Sequence, residues 1–502
     1  MASSFDSLPT PVDGSAAPLR SPRWNPIARL VRDRRGIAIA TSALLLLAVA
    51  TRVWTAVWDQ GLVWPDEIYQ TLEQAHRFAF GRGIIPWEFR DGARSWVYPG
   101  MIGLVWKAAA ALGVKSGLGL VQLAKLIMGA LSVGGVWAGM RLARKLGGER
   151  AELVAALFGA LCPLLVIFGS RCSTEAASAP LVVFAALLLE VTPLRRRAAF
   201  AGALMACTVL FRYQNGLLAA GFFVLLCARR RWTHALSYLG GALLVASLGG
   251  GVDWVTWGSP FRPLVVYVKF NVIDKGAERW GTSPFPFFSE HLATSIGLSY
   301  SLMLLGFGVA VRKARGLVLV VLVFVLVHSA IPHKELRFIT PIVPLGLSLA
   351  AVGLTQLFDG LRRGSRPTYA LCLVCGAQMA WQLKAPTLGD LGYGTDSQVV
   401  WHANEDYYRA TIAAAAAPDL CGISYVDNAR AWTGGYTYLH RAVPVFFDTE
   451  PRNLAAANYL VGGHEEKLPP AWHALDAYGE YTLWRRDGAC GPTPVDWTLN
   501  ML

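Results

Sequence analysis

Asp66 and Glu67 follow Pro65 at the head of a stretch, 64–83, in which Ile68, Leu72, Ala75 and Ala79 recur at helical spacing. Proline suits the first turn of a helix, and acids favour the positive end of its dipole. The spacing predicts an amphipathic helix lying at a membrane surface. Its two carboxylates either cap that helix or offer a base able to take a proton from an acceptor hydroxyl. A second group, His333, Lys334 and Arg337, sits at the start of a long apolar segment. Such cations either snorkel from a helix end or converge on a phosphate. Arg212, in the run Phe211–Asn215, and Arg171 with Glu175 are further charges at the ends of apolar segments. A local Arg171–Glu175 ion pair accounts for those two as well as a site does. The stretch 257–288 is rich in aromatics and prolines and holds Lys269 and Arg279. It reads as interfacial belt residues, or as a lid or acceptor platform.

The elements that must position these residues are membrane helices. Of the 502 residues, 54% are apolar and only 16% charged, where a soluble protein carries about a quarter charged. The apolar residues come in blocks of about 17–23, as in 315–331, which matches the hydrocarbon thickness of a bilayer. One buried core helix could explain one such block but not ten. The net charge of +13 gathers in short clusters between the blocks. That is the positive-inside pattern of a membrane protein rather than a nucleic-acid surface.

The candidate spans are 36–58, 118–140, 151–169, 175–192, 198–212, 215–228, 233–254, 292–311, 315–331, 337–357 and 367–384. Residues 1–35, rich in Pro, Ser and Arg, read as a disordered cytoplasmic tail before an uncleaved first helix. The apolar stretch 97–113 is decided by parity. If it does not cross, the clusters at 141–150, 195–197, 229–231, 312–315 and 362–366 all face the cytoplasm; if it crosses, all of them flip outside. It is therefore expected to lie along the outer interface, which leaves eleven spans. The chain then divides into the tail 1–35, a transmembrane module 36–384 and an outer domain 385–502. The outer loops 59–117 and 255–291 belong to the transmembrane module. In the outer domain, 421–425 and 442–447 look like strands and 451–460 looks helical. Cys421 and Cys490 fall there, where a disulfide is permitted. Cys372 and Cys375 lie inside an apolar span and read as small membrane residues, not as a metal or redox site. No phosphate-binding or dinucleotide-binding glycine loop is present, and no internal repeat suggests a transporter of duplicated halves.

Read together, these motifs resemble glycosyltransferase family 22, the mannosyltransferases of glycosylphosphatidylinositol and N-glycan precursor assembly. The stretch from Trp64 to Gln70 is similar to the family's HPDE-x-x-Q motif, and 333–338 to its HKE-x-RF motif. Residues 86–100, 211–215 and 280–288 also have counterparts, in family order. The resemblance implies the GT-C fold and transfer of mannose from a dolichyl- or polyprenyl-phosphate donor, with inversion, to a lipid-linked glycan or glycolipid. It makes Asp66 the catalytic base with Glu67 beside it. His333, Lys334, Arg337 and Arg212 would hold the donor phosphate. Glu335, Gln70, Trp87, Glu88, Arg94, Tyr213 and Trp280 would take supporting or acceptor-binding positions. Neither a metal nor a cofactor besides the donor lipid is implied. Trp64 departs from the motif, standing where the family has histidine. The Ala- and Arg-rich sequence has a bacterial look, which implies a polyprenol shorter than dolichol. The enzyme would sit in the inner membrane facing the periplasm, or in a eukaryote in the endoplasmic reticulum facing the lumen. Rival readings are another GT-C enzyme, of the protein O-mannosyl or lipid A aminosugar type, and a lipid or sugar transporter. HKE-x-RF disfavours the first. Polar residues gathered at one face, rather than at mid-span, disfavour the second.

Overall fold

The computed structural model describes residues 34–191, 194–360, 366–393, 397–426 and 432–499. The expected tail, 1–33, and most of the basic cluster 362–366 lie outside the described residues. Each of the eleven apolar segments falls on helix. In chain order these are α1 (Arg34–Val57), then α2 (Pro65–Glu67), which runs through a π turn at Ile68–Leu72 into α3 (Glu73–Phe80). They continue with α4 (Val97–Ala111), α5 (Gly117–Gly147), α6 (Glu149–Leu161), α7 (Pro163–Ile167), α8 (Thr174–Glu190), α9 (Arg195–Phe211), α10 (Gly216–Ala228) and α11 (Trp232–Trp257). The last are α12 (Phe287–Ile296), α13 (Ser299–Val309), α14 (Val311–Ala330), α15 (Val343–Gly360) and α16 (Arg366–Gln382). Among the described residues, five helices are long and apolar enough to cross a membrane on those criteria alone, and α6 with the segment to Ser170 makes a sixth.

The bundle is layered. The segment from Leu336 through α15 is its centre, with 94% of its apolar window buried, whereas only 22% of that of α11 is. Leu236, Leu243, Leu244, Leu248 and Val255 of α11 are exposed. In water so large an apolar face would aggregate; in a bilayer it is the solvated face. Helices α9 and α11 cross closely because Gly202 and Gly241 carry no side chain. A Cβ on Gly202 would run into the Tyr238 carbonyl, and one on Gly241 into that of Ala199.

Three breaks bring polar residues to one end of the bundle. The chain bends by 59° between α6 and the segment starting at Pro163, where proline lacks an amide N–H, and this delivers Arg171. The expected span 292–311 is two helices parted at Gly297, whose φ of +68° suits glycine. The expected span 337–357 begins as a 3-10 turn, Leu336–Ile342, with Pro341 inside it.

The C-terminal domain, α17 (Glu405–Ala416), α18 (Gly435–Leu439), α19 (Pro451–Ala455) and five strands, forms one sheet. Its strands are β1 (Ile423–Tyr425), β2 (Val445–Phe446), β3 (Tyr459–Gly463), β4 (Trp472–Tyr478) and β5 (Tyr481–Arg486), in the order β2-β1-β3-β5-β4. β2, β1 and β3 are parallel, and β5 runs antiparallel to both β3 and β4. The expected strands 421–425 and 442–447 contain β1 and β2. The expected helix 451–460 stops at Ala455; Tyr459 already pairs in β3. Cys421 and Cys490 are bridged.

This domain corrects the amphipathic reading of 64–83. Glu67, Gln70, Glu73, Gln74 and His76 are all buried: the domain covers Glu73 and His76, Glu67 packs inward on Cys172 and Arg171 of the bundle, and Gln70 and Gln74 bond within the first loop. Glu73 accepts hydrogen bonds from Thr437 N (2.6 Å), Thr437 Oγ1 (2.7 Å) and Ile84 N (2.7 Å). His76 Nε2 meets His440 Nδ1 at 2.9 Å, and Tyr438 donates to the Gln60 carbonyl at 2.6 Å.

Candidate active site

The centre of the site is an ion pair between two distant motifs: Arg337 Nη2 lies 2.7 Å from Asp66 Oδ2. Asp66 stands at the start of α2 behind Pro65, and Arg337 on the 3-10 turn that opens the central segment. Arg337 is 5% exposed and Asp66 29%, so the carboxylate is the accessible partner. The same guanidinium donates through Nε and Nη2 to both oxygens of Glu335, at 2.7 and 2.8 Å. Burial acts to raise the Glu335 carboxyl, but Arg337 and His333 hold it well below the usual carboxylate range.

Glu175, at the start of α8, joins a second cation. Its Oε1 is 2.9 Å from Arg212 Nη1 and 3.5 Å from Arg337 Nη1. Arg212 also lies over the Phe338 ring, 4.5 Å from its centroid. Nη1 of both arginines and Oε1 of Glu175 are buried without a hydrogen bond of good geometry. The two guanidinium nitrogens are donors that a ligand's oxygens could satisfy. The expected Arg171–Glu175 pair does not form. Arg171 instead bridges to Asp59 at 2.7 Å.

Glu67 turns away from Asp66. It is fully buried, its Oε1 accepts from Cys172 N at 2.7 Å, and its Oε2 is 4.0 Å from Arg171 Nη1. Burial pushes its carboxyl up, while Arg171 and Lys125 pull the other way. Asp59, Glu67, Lys125 and Arg171 form a charge-balanced knot beneath the site rather than part of its surface. Asp59, His402 and Glu405 are close enough together to hold a metal ion. The Asp59 oxygens are, however, already taken by Arg171 Nη2 and by the amides of Gly61 and His402.

The supporting residues divide into two groups. Gln70 donates to Glu88 Oε1 at 2.7 Å. Burial, and then the charge of Asp66, push the Glu88 carboxyl up to about 7. Arg94 lies near Glu88 and 5.9 Å from the Tyr267 ring centroid, and Tyr267 packs on Tyr213 at 5.3 Å. On the other side an aromatic run crosses from the first loop. Trp87 lies 4.4 Å from Phe270 and 6.2 Å from Trp280, and Trp280 lies 6.3 Å from His333. His333 Nε2 is 3.4 Å from Glu335 Oε1, and its Nδ1 meets the Gly281 carbonyl. Lys334 is spent on the backbone, donating to the carbonyls of Ser283 (2.5 Å) and Pro332 (3.4 Å). In this state it staples the aromatic loop rather than joining the Arg337 cluster.

Sequence reasoning missed two residues of this region. Asp253, at the end of α11, accepts from Ser95 Oγ at 2.7 Å, and an acid at the end of an apolar span was the signal for it. Tyr393 stands close enough to Glu335, Arg337 and Asp66 to feel their charges, and nothing in the sequence marks it.

The model of the Alg9-like mannosyltransferase family matches residues 43–385. GPI mannosyltransferase 3 of Yarrowia lipolytica is 28% identical over 417 residues, covering 81% of this chain and 76% of that protein. The Drosophila melanogaster GPI mannosyltransferase 3 is 28% identical, covering 68% of this chain and 61% of its own length. The Homo sapiens GPI alpha-1,2-mannosyltransferase 3 is 26% identical, covering 64% and 60%. The chain thus spans about three fifths of the length of the fly and human relatives. Among solved structures, ArnT from Cupriavidus metallidurans bound to undecaprenyl phosphate superposes with a TM-score of 0.59 at 15% identity, covering 92% of this chain and all of that one. The Archaeoglobus fulgidus oligosaccharyltransferase gives 0.51 at 13% identity, covering 86% and 69%. At these identities the likeness is one of fold, and the fold is GT-C.

Proposed function

Because the chain belongs to the Alg9-like mannosyltransferase family, we propose that it moves mannose from a polyprenyl-phosphate donor to a hydroxyl of a lipid-linked glycan or glycolipid, with inversion. The observation that carries this reading is the Asp66–Arg337 pair at 2.7 Å. It places an accessible carboxylate against a buried cation from the far end of the module. In the reaction the acceptor oxygen bonds to the anomeric carbon as the carbon–phosphate oxygen bond breaks. Asp66 takes the hydroxyl proton. The departing phosphate, which carries the electron pair, is held by Arg337 and Arg212. A donor phosphate arriving there competes for the guanidinium that Asp66 holds and frees the carboxylate for the acceptor. Glu335 and Glu175 keep the two arginines in place, and Lys334 fixes the loop that carries Trp280.

The site faces away from the cytoplasm on this reading. Two features support that side. The C-terminal domain packs on the segment that carries Asp66, through Thr437 and His440. That domain holds a disulfide, which persists in oxidising compartments. The ArnT structure contains undecaprenyl phosphate; a polyprenyl phosphate as carrier here is our inference.

The test is transfer itself. Purified protein given polyprenyl-phosphate mannose and a membrane lipid extract should yield a mannosylated lipid. Asp66→Asn should lower the rate at least about a hundredfold, the usual contribution of a general base, with binding of polyprenyl phosphate retained. Normal turnover in that variant would remove Asp66 from the base role.

A further inference from the structure

Past α11 the chain doubles back. Gly258 (φ +76°) and Phe261 (φ +57°) turn it, and the Phe261 ring reaches down to Gly250, where a Cβ would come within 2.6 Å of it. Gly250 precedes Trp257, the last residue of α11, by about two helical turns, or about 10 Å along the axis. The helix Arg262–Val268 and the π turn Lys269–Ile273 therefore start beside the end of a membrane helix, not above it. Trp254 and Val255 of that end are themselves exposed. One side of the new segment packs inward. Pro263 is buried, Tyr267 lies on Tyr213 at 5.3 Å, and Phe270 lies 4.4 Å from Trp87 and 5.6 Å from Trp280. The other side is bare and apolar. Val265, Val268, Val272 and Ile273 recur there at helical spacing, and Val265, Val272 and Ile273 are 66, 67 and 71% exposed. Around that face stand Arg262, Lys269, Lys275 and Arg279, all exposed and none in an ion pair among the described residues.

We infer that residues 262–280 form an in-plane anchor, lying in the headgroup layer beside α11 and binding the acidic phospholipids of that leaflet. A short helix with valines on one face and lysine and arginine at its flanks suits the boundary between acyl chains and headgroups. Its apolar face continues the lipid-facing surface of α11, so one bilayer covers both. Arg262, Lys269, Lys275 and Arg279 outnumber Asp274 and Glu278, and the net positive charge complements an acidic headgroup. The proposed outer side is the one on which loops carry few basic residues, so topology does not account for these cations. The same segment holds Phe270 against Trp87 and Trp280, and Trp280 leads through His333 to Glu335 and Arg337. Lipid bound here therefore bears on the rim of the site. The inference needs the bundle to lie in a bilayer but does not need the transfer reaction, so it can fail without touching Asp66 or Arg337.

Ile273→Cys, carrying an environment-sensitive fluorophore, would be placed in nanodiscs with rising fractions of brominated phosphatidylglycerol or brominated phosphatidylcholine. Signal from label on the protein's own cysteines is subtracted using the unsubstituted chain. Quenching should favour phosphatidylglycerol at least about fivefold in apparent affinity, the worth of about one basic side chain at a membrane surface, and high salt should erode that preference. Lys269→Gln with Lys275→Gln leaves the basic and acidic side chains of the segment in balance. It should bring the two lipids to within about twofold of each other, with the melting temperature in detergent unchanged. Val272→Asp should weaken quenching by both lipids. A label that emits as in water in both lipids overturns the anchor. Equal quenching by the two lipids with both lysines present, or an undiminished preference without them, overturns the recognition of acidic lipid. Displacement of the brominated lipid by an equimolar amount of sugar-free polyprenyl phosphate also overturns it, since the segment would then be a contact of the donor.

Discussion

Successive residues on a helix point about 100° apart, and that rotation separates Asp66 from Glu67. Asp66 is directed to Arg337 and is 29% exposed. Glu67 is directed inward to Cys172 N and Arg171 and is fully buried. The two acids should therefore fail in different ways. Glu67→Gln leaves Arg171 and Lys125 with Asp59 as the one remaining acid of the knot, and removing one partner of a buried charge network costs about 3–5 kcal/mol. The expected result is a clear loss of thermal stability, with turnover per folded molecule within about threefold of wild type, since the rate factor belongs to the base. Asp66→Asn should show the reverse, a stable protein without turnover. A Glu67→Gln protein as stable as wild type but inactive would make Glu67 part of the chemistry. Residue types and motif order made the acid pair and the His333–Phe338 group legible from the sequence. The partner of each charge was not, because pairing depends on where chain breaks such as that at Pro163 deliver side chains. Arg171 and Glu175 lie four residues apart, yet they belong to different networks.

At the scale of elements, eleven apolar segments could be read from hydropathy because a bilayer sets their length. The local pattern of 64–83 does not reveal its cover, which comes from Arg171 and Cys172 of the bundle and from Thr437 and His440 more than three hundred positions later. That cover carries two buried titrating groups of opposite sense. Burial pushes the Glu73 carboxyl up to about 7 and the His76 imidazole down to about 4. Between about pH 4.5 and 7 the docked form keeps a proton on Glu73 that the undocked form has lost, so this contribution falls as pH rises. Between about pH 6.5 and 4 the undocked form takes up a proton on His76 that the docked form refuses, so that contribution falls as pH drops. Each shift corresponds to on the order of 3 kcal/mol, and the two slopes oppose each other over about pH 4.5–6.5. Glu73→Gln should therefore gain stability relative to wild type as pH rises from 4.5 to 7, and His76→Gln should gain relative to wild type as pH falls from 6.5 to 4. Melting curves followed by tryptophan fluorescence across that range would show it. Parallel pH profiles for wild type and both variants would mean that neither group is buried at a docked interface.

For the whole molecule, the side of the membrane on which the site works follows from the docking of the C-terminal domain. Asp59, Leu62 and Glu73 of the first loop are held by His402, Asn404 and Thr437, so domain and site must lie on one side. On the reading proposed above, the basic clusters between apolar segments put that side away from the cytoplasm. Chemistry can read the same side independently. Cys421 and Cys490 are bridged across 69 residues, while Cys162, Cys172, Cys372 and Cys375 are buried and Cys207 and Cys227 half-buried in the bundle. Intact cells treated with a charged reductant and then a membrane-impermeant maleimide should be labelled at Cys421 and Cys490, and untreated cells should not. Joint replacement of both cysteines by serine should remove the label and lower the stability of the domain by about 4 kcal/mol, the order expected for opening a loop of this length. Labelling that requires permeabilised cells would place the domain, and Asp66 with it, in the cytoplasm. A donor lipid presented on the opposite face could not then reach Arg337, and the orientation argued from the basic clusters would fall with it.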